Sequence, residues 1–304
     1  MEYDSCDSYE SCDSYDEDDN PITDNFQDHI RSIVSDMTDL DLANIFPKFR
    51  RLFVCKNNAL RILSATFTDL VYLNCTRCNI EQIPKELRSL EELRCSENLI
   101  SSIPTTLTRL RVLECTHNYS LKVISDLPSL EILNCTNSPI YMLKNLPKLR
   151  ILDCSMTKLT TIPEEFVMLE NLKCRYTEIT YLSSKFTRLI SLDCSWTSIS
   201  VLPNTLIKMK DFTFYHCQSI RTSQPLKIPA NFLNLVSLEC NKGCVHKPLP
   251  KTFEQLTHCS MEPFISEYKL GVDKYKSFLK IMVRHLVYLS NGNDDVKDLI
   301  ISFI

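Results

Sequence analysis

The sequence is poor in glycine and tryptophan, with three and one of these residues in a chain of 304. Three glycines leave few positions for left-handed backbone, which argues against glycine-rich phosphate loops and a doubly wound dinucleotide-binding fold. No run of apolar residues approaches the length of a membrane-spanning helix, so we expect none. The first residues contain neither a basic start nor an apolar stretch. We therefore expect a protein that is not secreted and works in the cytoplasm or the nucleus.

Acidic residues are unevenly placed along the chain, and cysteines are unusually frequent. Residues 1–24 contain ten acidic side chains and no Lys or Arg, so the rest of the chain holds 28 acidic against 34 basic side chains. This composition predicts an acidic disordered tail over residues 1–25. The 15 cysteines are too sparse for a small disulfide scaffold. Without an export signal, we expect them to remain thiols in a reducing compartment.

A repeat with a period near 20 residues runs through most of the chain. The units share the degenerate pattern LxxLxCxx[NCST], with an Ile-Pro or Leu-Pro segment behind it in most of them. We number the residues of a unit from its first leucine, so the cysteine is at position 6 and the asparagine at position 9. The units start at Phe49, Leu70, Leu90, Leu110, Leu130, Leu149, Leu169, Leu189, Met209, Leu235 and Leu256.

This pattern resembles the leucine-rich repeat, in its class of short units, with Cys in place of the third leucine. Similar cysteine-laden repeat proteins occur in large DNA viruses, which would place this chain inside a host cell. The resemblance implies an α/β-repeat solenoid with a curved parallel sheet on its concave side. Because the prolines discourage a full helix, we expect an extended or single-turn convex side.

The domain organisation follows from where the repeat begins and ends. We predict an N-terminal cap over residues 26–48, about ten repeat units over 49–261, and a helical C-terminal cap over 262–304. Apolar residues at helical spacing in 272–289 support the second cap. The long step between the units of Met209 and Leu235 predicts a protruding loop near residues 221–225.

The cysteines at position 6 recur in seven consecutive units. We expect one buried row of thiols, too straight for a metal site and with side chains too parallel for disulfides. Burial should raise the pKa of each thiol. The resemblance implies that Asn at position 9 bonds backbone groups of the adjacent turn and so forms a ladder. Asn is retained in three of ten units; Ser and Thr should make weaker versions of this contact, and Cys and Gly hardly any. The scarcity of glycine predicts a turn that needs no left-handed residue. The seven cysteines are Cys75, Cys95, Cys115, Cys135, Cys154, Cys174 and Cys194.

Large side chains collect at positions that should face outward from the concave sheet. Positions 3, 5, 7 and 8 are expected to be exposed, and four consecutive units place Met, Tyr, Trp and His at position 8. Such residues fit an interface hot spot. An alternative is that a loop, a cap or neighbouring side chains cover them. The candidate partner-binding residues are Val112, Ile132, Ile151, Asp153, Met156, Lys173, Arg175, Tyr176, Asp193, Trp196 and His216.

No catalytic motif is present: the six histidines form no metal-binding pair, and no nucleophile elbow or phosphate loop occurs. We expect no catalytic, cofactor-binding or metal-binding residues and no cofactor. The sequence predicts a monomeric, non-enzymatic scaffold that binds a protein partner through its concave face and binds no membrane. An alternative is a substrate adaptor of a ubiquitin ligase, because residues 28–57 faintly resemble an F-box. Nucleic-acid binding is disfavoured, since the outward positions mix both charge signs.

Overall fold

The computed structural model describes residues 50–54, 56, 61–217, 226, 228–229, 231–240 and 258–259. Within these residues the secondary structure consists of short parallel strands joined by turns. The strands are β1 (Arg51–Phe53), β2 (Tyr72–Asn74), β3 (Glu92–Arg94), β4 (Val112–Glu114), β5 (Val123–Ser125), β6 (Ile132–Asn134), β7 (Met142–Lys144), β8 (Ile151–Asp153), β9 (Asn171–Lys173), β10 (Ser191–Asp193), β11 (Asp211–Phe214), β12 (Ser237–Cys240) and β13 (His258–Cys259).

One long parallel sheet contains eleven of these strands, in the order β1-β2-β3-β4-β6-β8-β9-β10-β11-β12-β13. Each repeat unit contributes one strand, which begins at position 3. Residues at the same repeat position pair across neighbouring strands, as Leu93 does with Leu113 and Leu113 with Leu133. This register confirms the predicted solenoid, because one turn of the chain equals one repeat unit.

The core forms along the inner face of this sheet. In the strand Glu92–Arg94, the middle leucine is fully buried while both neighbours are partly exposed. Side chains alternate along a strand, so the leucine at position 4 and the cysteine at position 6 enter the same core. The leucine at position 1 and the Ile and Leu residues of the return segment close the core from the other side, as Leu90, Ile100 and Ile103 show.

The return segment of most units consists of two tight turns in succession. In the unit of Leu70, the Leu87 N–H donates to the Pro84 carbonyl over 3.3 Å, and the Leu90 N–H donates to the Leu87 carbonyl over 3.1 Å. The same pair of turns follows Pro104, Pro163 and Pro203. The expected convex side of extended chain and short turns is confirmed for these units.

Two adjacent units differ, because their return segments form the two-stranded parallel sheet β5-β7. Ser125 pairs with Lys144 at the end of this sheet. In the neighbouring units the residue after the second Ile or Leu is usually proline, as at Pro104 and Pro163. Proline has no N–H for a strand ladder. A second sheet therefore forms where two successive units both lack proline at this position, a feature that the repeat pattern alone does not predict.

Several predictions concern parts of the chain outside the described residues. These are the acidic tail over 1–25, the N-terminal cap over 26–48, the loop near residues 221–225 and the helical C-terminal cap over 262–304. They stay predictions, as do the exact domain boundaries. In the part of the chain that the structure describes, no helix has the length and apolarity needed to cross a membrane.

Candidate protein-interaction surface

The cysteine column at position 6 forms the floor beneath the candidate surface. All seven cysteines are buried and free. Several direct their sulfur at a carbonyl of the next strand: Cys135 Sγ donates to the Asp153 carbonyl over 3.5 Å, and Cys154 Sγ to the Lys173 carbonyl over 3.4 Å. Burial raises the pKa of Cys95 and Cys174 well above the ordinary thiol value. The column is core packing with weak thiol hydrogen bonds.

No group of three or more His, Cys, Asp or Glu side chains could hold a metal ion among the residues that the structure describes. The row of sulfurs runs along the solenoid axis and does not surround a common point. The sequence expectation of no metal site meets no contrary observation in this part of the chain.

The asparagines at position 9 tie neighbouring units together. Asn98 Oδ1 accepts from the N–H groups of Cys78 and Ile80, at 3.1 and 2.8 Å. Asn98 Nδ2 donates to the carbonyls of Cys75 and Cys95, at 2.8 and 3.1 Å. One buried amide therefore satisfies backbone groups of two units, which is the ladder that the resemblance implied.

Ser, Thr and Cys replace asparagine with different success. Thr157 Oγ1 donates to the Cys154 carbonyl of its own unit at 2.7 Å. Ser138 Oγ instead reaches back to the Cys115 carbonyl of the preceding unit. Cys217 Sγ makes the same backward contact, to the Cys194 carbonyl. Cysteine is expected to make this contact hardly at all, yet the Cys217 thiol reaches the preceding-unit carbonyl that Asn and Ser use.

The turn after each strand is left-handed at position 8, which overturns the expectation of a turn without left-handed residues. In nine consecutive units a residue other than glycine has φ between 52° and 62° at this position. For a residue with a Cβ atom, this conformation costs about 1–2 kcal/mol. We call this set the turn column. It contains Lys56, Arg77, Glu97, His117, Asn137, Met156, Tyr176, Trp196 and His216.

Backbone hydrogen bonds between units impose this conformation. The Tyr176 N–H donates to the Ser195 carbonyl at 3.1 Å, and the Trp196 N–H donates to the Tyr215 carbonyl at 2.7 Å. The backbone hydrogen bonds of the sheet thus continue past the end of each strand and fix each turn against the next one. A repeated backbone contact of this kind sustains a strained residue without glycine.

Three aromatic side chains of the turn column stack on one another. The ring centroids of Tyr176 and Trp196 are 5.2 Å apart with 13° between the planes, and those of Trp196 and His216 are 4.1 Å apart with 30°. Tyr176 is 48% and Trp196 44% exposed. Met156, at the same position in the preceding unit, is 52% exposed. We call Tyr176, Trp196 and His216 the aromatic ladder.

The row of position 5 places charges beside the ladder. Asp153, Lys173 and Asp193 occupy matching places in β8, β9 and β10 and alternate in sign. Arg175, at position 7, approaches Asp193 across the unit boundary, with 3.5 Å between Nε and Oδ2. The structure therefore brings these four predicted residues together along neighbouring strands.

The aliphatic residues of position 3 form a separate row on the outer face. Val112 pairs with Ile132 and Ile132 with Ile151, so the row crosses β4, β6 and β8. Ile151 is exposed, while Val112 and Ile132 are half-buried. The row and the ladder occupy different ranges of units; the unit of β8 carries both Ile151 and Met156.

Position 7 is less exposed than expected. Ser155 and Ser195 are buried, because each hydroxyl accepts a backbone N–H of the following unit: Arg175 N–H donates to Ser155 Oγ at 3.3 Å and Tyr215 N–H to Ser195 Oγ at 3.0 Å. The expectation that position 7 faces outward is wrong for Ser155 and Ser195. The long side chain of Arg175 remains exposed.

Two further features of this surface were missed. Arg77 and Glu97 form an ion pair in the turn column, with 2.7 Å between Nε and Oε2. Tyr215 lies beside Trp196 in the backbone ladder, and its hydroxyl lies 3.3 Å from Glu239 Oε2. Both could have been found, because they occupy positions 7 and 8, from which other residues were chosen.

Comparison with known proteins supports the fold. No family model matches the sequence, and no curated protein matches it. Solved structures do match. The functional domain of InlJ from Listeria monocytogenes, which includes a cysteine ladder, is 20% identical with a TM-score of 0.53, over 74% of this chain and 55% of that one. A leucine-rich-repeat protein from Leptospira interrogans is 21% identical with a TM-score of 0.57, over 69% of this chain and 59% of that one.

A third similar structure is the Toll–Spatzle complex of Drosophila, at 17% identity and a TM-score of 0.52, over 74% of this chain and 34% of that one. At these identities the likeness shows the fold: the chain is a leucine-rich-repeat solenoid. The chain spans between a third and three fifths of the length of these three structures. The resemblance to proteins of large DNA viruses stays a prediction.

Proposed function

We propose that the protein is a non-enzymatic scaffold that binds a partner protein through the aromatic ladder and the adjacent strand residues. The observation that carries the proposal is the exposure of stacked rings on strained backbone. Tyr176, Trp196 and His216 all have left-handed φ. Asparagine or glycine would fit this backbone at lower free energy. The fold imposes this backbone on nine consecutive units, so the strain alone does not mark a site; the choice of exposed aromatic side chains for it in three successive units does.

The chemistry of the surface favours a protein over a small molecule or nucleic acid. Exposed Trp and Tyr are the side chains most enriched in protein-binding hot spots. The ring faces of the ladder are stacked on one another, so the ladder offers ring edges to a partner. Asp153, Asp193 and Lys173 alternate in sign beside it, which suits a partner with complementary charges and not the uniform charge of a nucleic acid.

The fold adds general support. Solenoids of this kind use their extended sheet face for binding, and the Toll structure is one of a complex with Spatzle. We further propose that the protein acts inside the cell as a monomer. In the part of the chain that the structure describes, ten cysteines are free thiols, which fits a reducing compartment.

The test compares two double variants of the same repeat units. Tyr176→Ala/Trp196→Ala removes the ladder, while Tyr181→Ala/Val201→Ala removes side chains of similar exposure from the return segments. Proteins cross-linked to the wild type in cell extract are identified by quantitative mass spectrometry. The protein with the strongest cross-linking signal is then purified, and its affinity for the wild type and both variants is measured by calorimetric titration. We expect the ladder variant to lose at least tenfold in affinity and the return-segment variant to keep it.

Equal loss in both variants would overturn the assignment of the surface. The ladder variant should also remain folded, since each lost ring contact is worth about 0.5–1.5 kcal/mol. Collapse of its circular dichroism spectrum would instead show that the rings serve packing. The adaptor alternative concerns residues 28–57, most of which lie outside the described part. Stoichiometric binding of a purified F-box-binding linker protein would support that alternative.

A further inference from the structure

Two buried thiols touch beneath the aromatic ladder. Cys194 is at position 6 of the unit of Leu189, and Cys217 is at position 9 of the following unit. Their sulfur atoms are 3.7 Å apart. Both residues are fully buried, and neither is engaged in a disulfide. The contact joins the turn after β10 to the turn after β11.

This pair differs geometrically from the in-register thiols of the column. Side chains at the same position of adjacent parallel strands point the same way, which is unfavourable for a disulfide. Cys217 instead points back into the preceding unit, where its thiol donates to the carbonyl of Cys194. The two side chains therefore approach from different repeat positions and converge. Their sulfurs must close by about 1.7 Å to reach bonding distance, which small side-chain rotations can supply.

The surroundings differentiate the two sulfurs. The hydrogen bond from the Cys194 thiol lowers the pKa of Cys217, opposed by burial and aided by the contact with Thr197. Thr197 Oγ1 lies 3.7 Å from Cys217 Sγ. Burial is the main reason that the pKa of Cys194 is raised. Cys217 is thus the better nucleophile and Cys194 the thiol that resolves the reaction.

We propose that Cys194 and Cys217 are a reversible redox site that forms an intrachain disulfide with a low-molecular-weight disulfide as oxidant. Because Cys217 is fully buried, local opening of its turn must first admit the oxidant. The Cys217 thiolate then attacks one sulfur of the external disulfide, forms a mixed disulfide and releases one thiolate. Cys194 then loses its proton and attacks Cys217 Sγ, which releases the second thiolate. In total, the external S–S bond breaks and one protein S–S bond forms. The two protons of the protein thiols end up on the two small thiols that are released. Excess small thiol reverses both steps.

The link would act on the surface above it. Trp196 lies two residues after Cys194, and His216 directly precedes Cys217. A covalent bond between these turns fixes the two stacked rings against each other. The redox site goes beyond the proposed function, because it concerns the chemistry of the protein alone and needs no partner.

The experiment treats the folded full chain with oxidised glutathione, blocks the remaining thiols with iodoacetamide and digests without reduction. Trypsin places Cys194 in residues 189–208 and Cys217 in residues 211–221, each as the one cysteine of its peptide. We expect these peptides to be joined and to separate after dithiothreitol. Cys115 and Cys135, in residues 112–122 and 123–144, are the internal in-register control and should stay unlinked.

The matched variant is Cys217→Thr, because Thr occupies the same position in the three preceding units with Thr157, Thr177 and Thr197. Fluorescence of Trp196, the single tryptophan, should change on oxidation of the wild type and not of the variant. Absence of the cross-link, its formation only in urea, or equal linkage of Cys115 to Cys135 would each overturn the proposal. Since the readouts use no partner, their failure leaves the proposed binding function unaffected.

Discussion

Trp196→Gly should be more stable than Trp196→Ala, although glycine usually weakens regular structure. The reason is the left-handed backbone of Trp196, whose φ is 59°. Both variants lose the indole ring and its stacking contacts with Tyr176 and His216. Their comparison therefore isolates the effect of a single Cβ atom on the turn.

The magnitude follows from two opposing contributions. A Cβ atom in left-handed backbone costs about 1–2 kcal/mol, and glycine avoids this cost. Glycine gives the unfolded chain more freedom, which lowers the free energy of unfolding by about 0.4–1 kcal/mol. The net advantage of Gly over Ala at this position is about 0.5–1 kcal/mol.

The control is Ser191, in the strand of the same unit. Its N–H donates to the Glu170 carbonyl at 3.1 Å within the regular ladder. Here Ser191→Ala should be more stable than Ser191→Gly by about 0.5–1 kcal/mol. The assay is urea unfolding of the four variants. Their midpoints report stability if the dependence of the unfolding free energy on urea concentration is the same in all four. If alanine equals or exceeds glycine at both positions, the left-handed turn and the strain argument built on it are refuted.

The remaining predictions concern buried polar groups. Asn98→Ala should lower the free energy of unfolding by about 3 kcal/mol, and Thr157→Ala by about 1 kcal/mol. The reason is that Asn98 bonds backbone groups of two units, whereas Thr157 bonds one carbonyl. Equal losses in urea unfolding would contradict the bridging role of Asn98. Burial raises the pKa of Glu114, opposed by Arg94, so the folded state favours its protonated form. The stability gain of Glu114→Gln over the wild type should therefore be largest above the raised pKa and disappear as the pH falls below the ordinary glutamate pKa. A stability difference between the two proteins that stays constant from acidic to neutral pH would contradict this.

The candidate surface was partly readable from the repeat. Position 8 is predicted as a binding position because Met156, Tyr176 and Trp196 are larger than a repeated turn requires. The sequence could not show that these residues have left-handed φ, since few glycines suggested the opposite. That conformation is imposed by hydrogen bonds from each turn to the next unit. Such contacts exist once neighbouring units have stacked, so no local propensity reveals them.

Burial of polar side chains was equally hidden. Ser195 and Arg175 occupy the same repeat position, yet the serine is buried and the arginine exposed. A hydroxyl is short enough to accept the N–H of the next turn, whereas a guanidinium extends past it. The difference lies in how far each side chain reaches relative to a neighbour 20 residues away, which a pattern of repeat positions does not contain.

The sequence by itself determined the solenoid, one strand per unit and the buried cysteine column. Alternation along a strand forces the residues at positions 4 and 6 into one core wherever units stack in register. The tertiary structure alone decided the left-handed turn column, the stacking of Tyr176 on Trp196, the second sheet of β5 and β7, and the contact of Cys194 with Cys217. Each of these depends on distances between different units, and periodicity specifies which residues recur but not how closely their side chains approach.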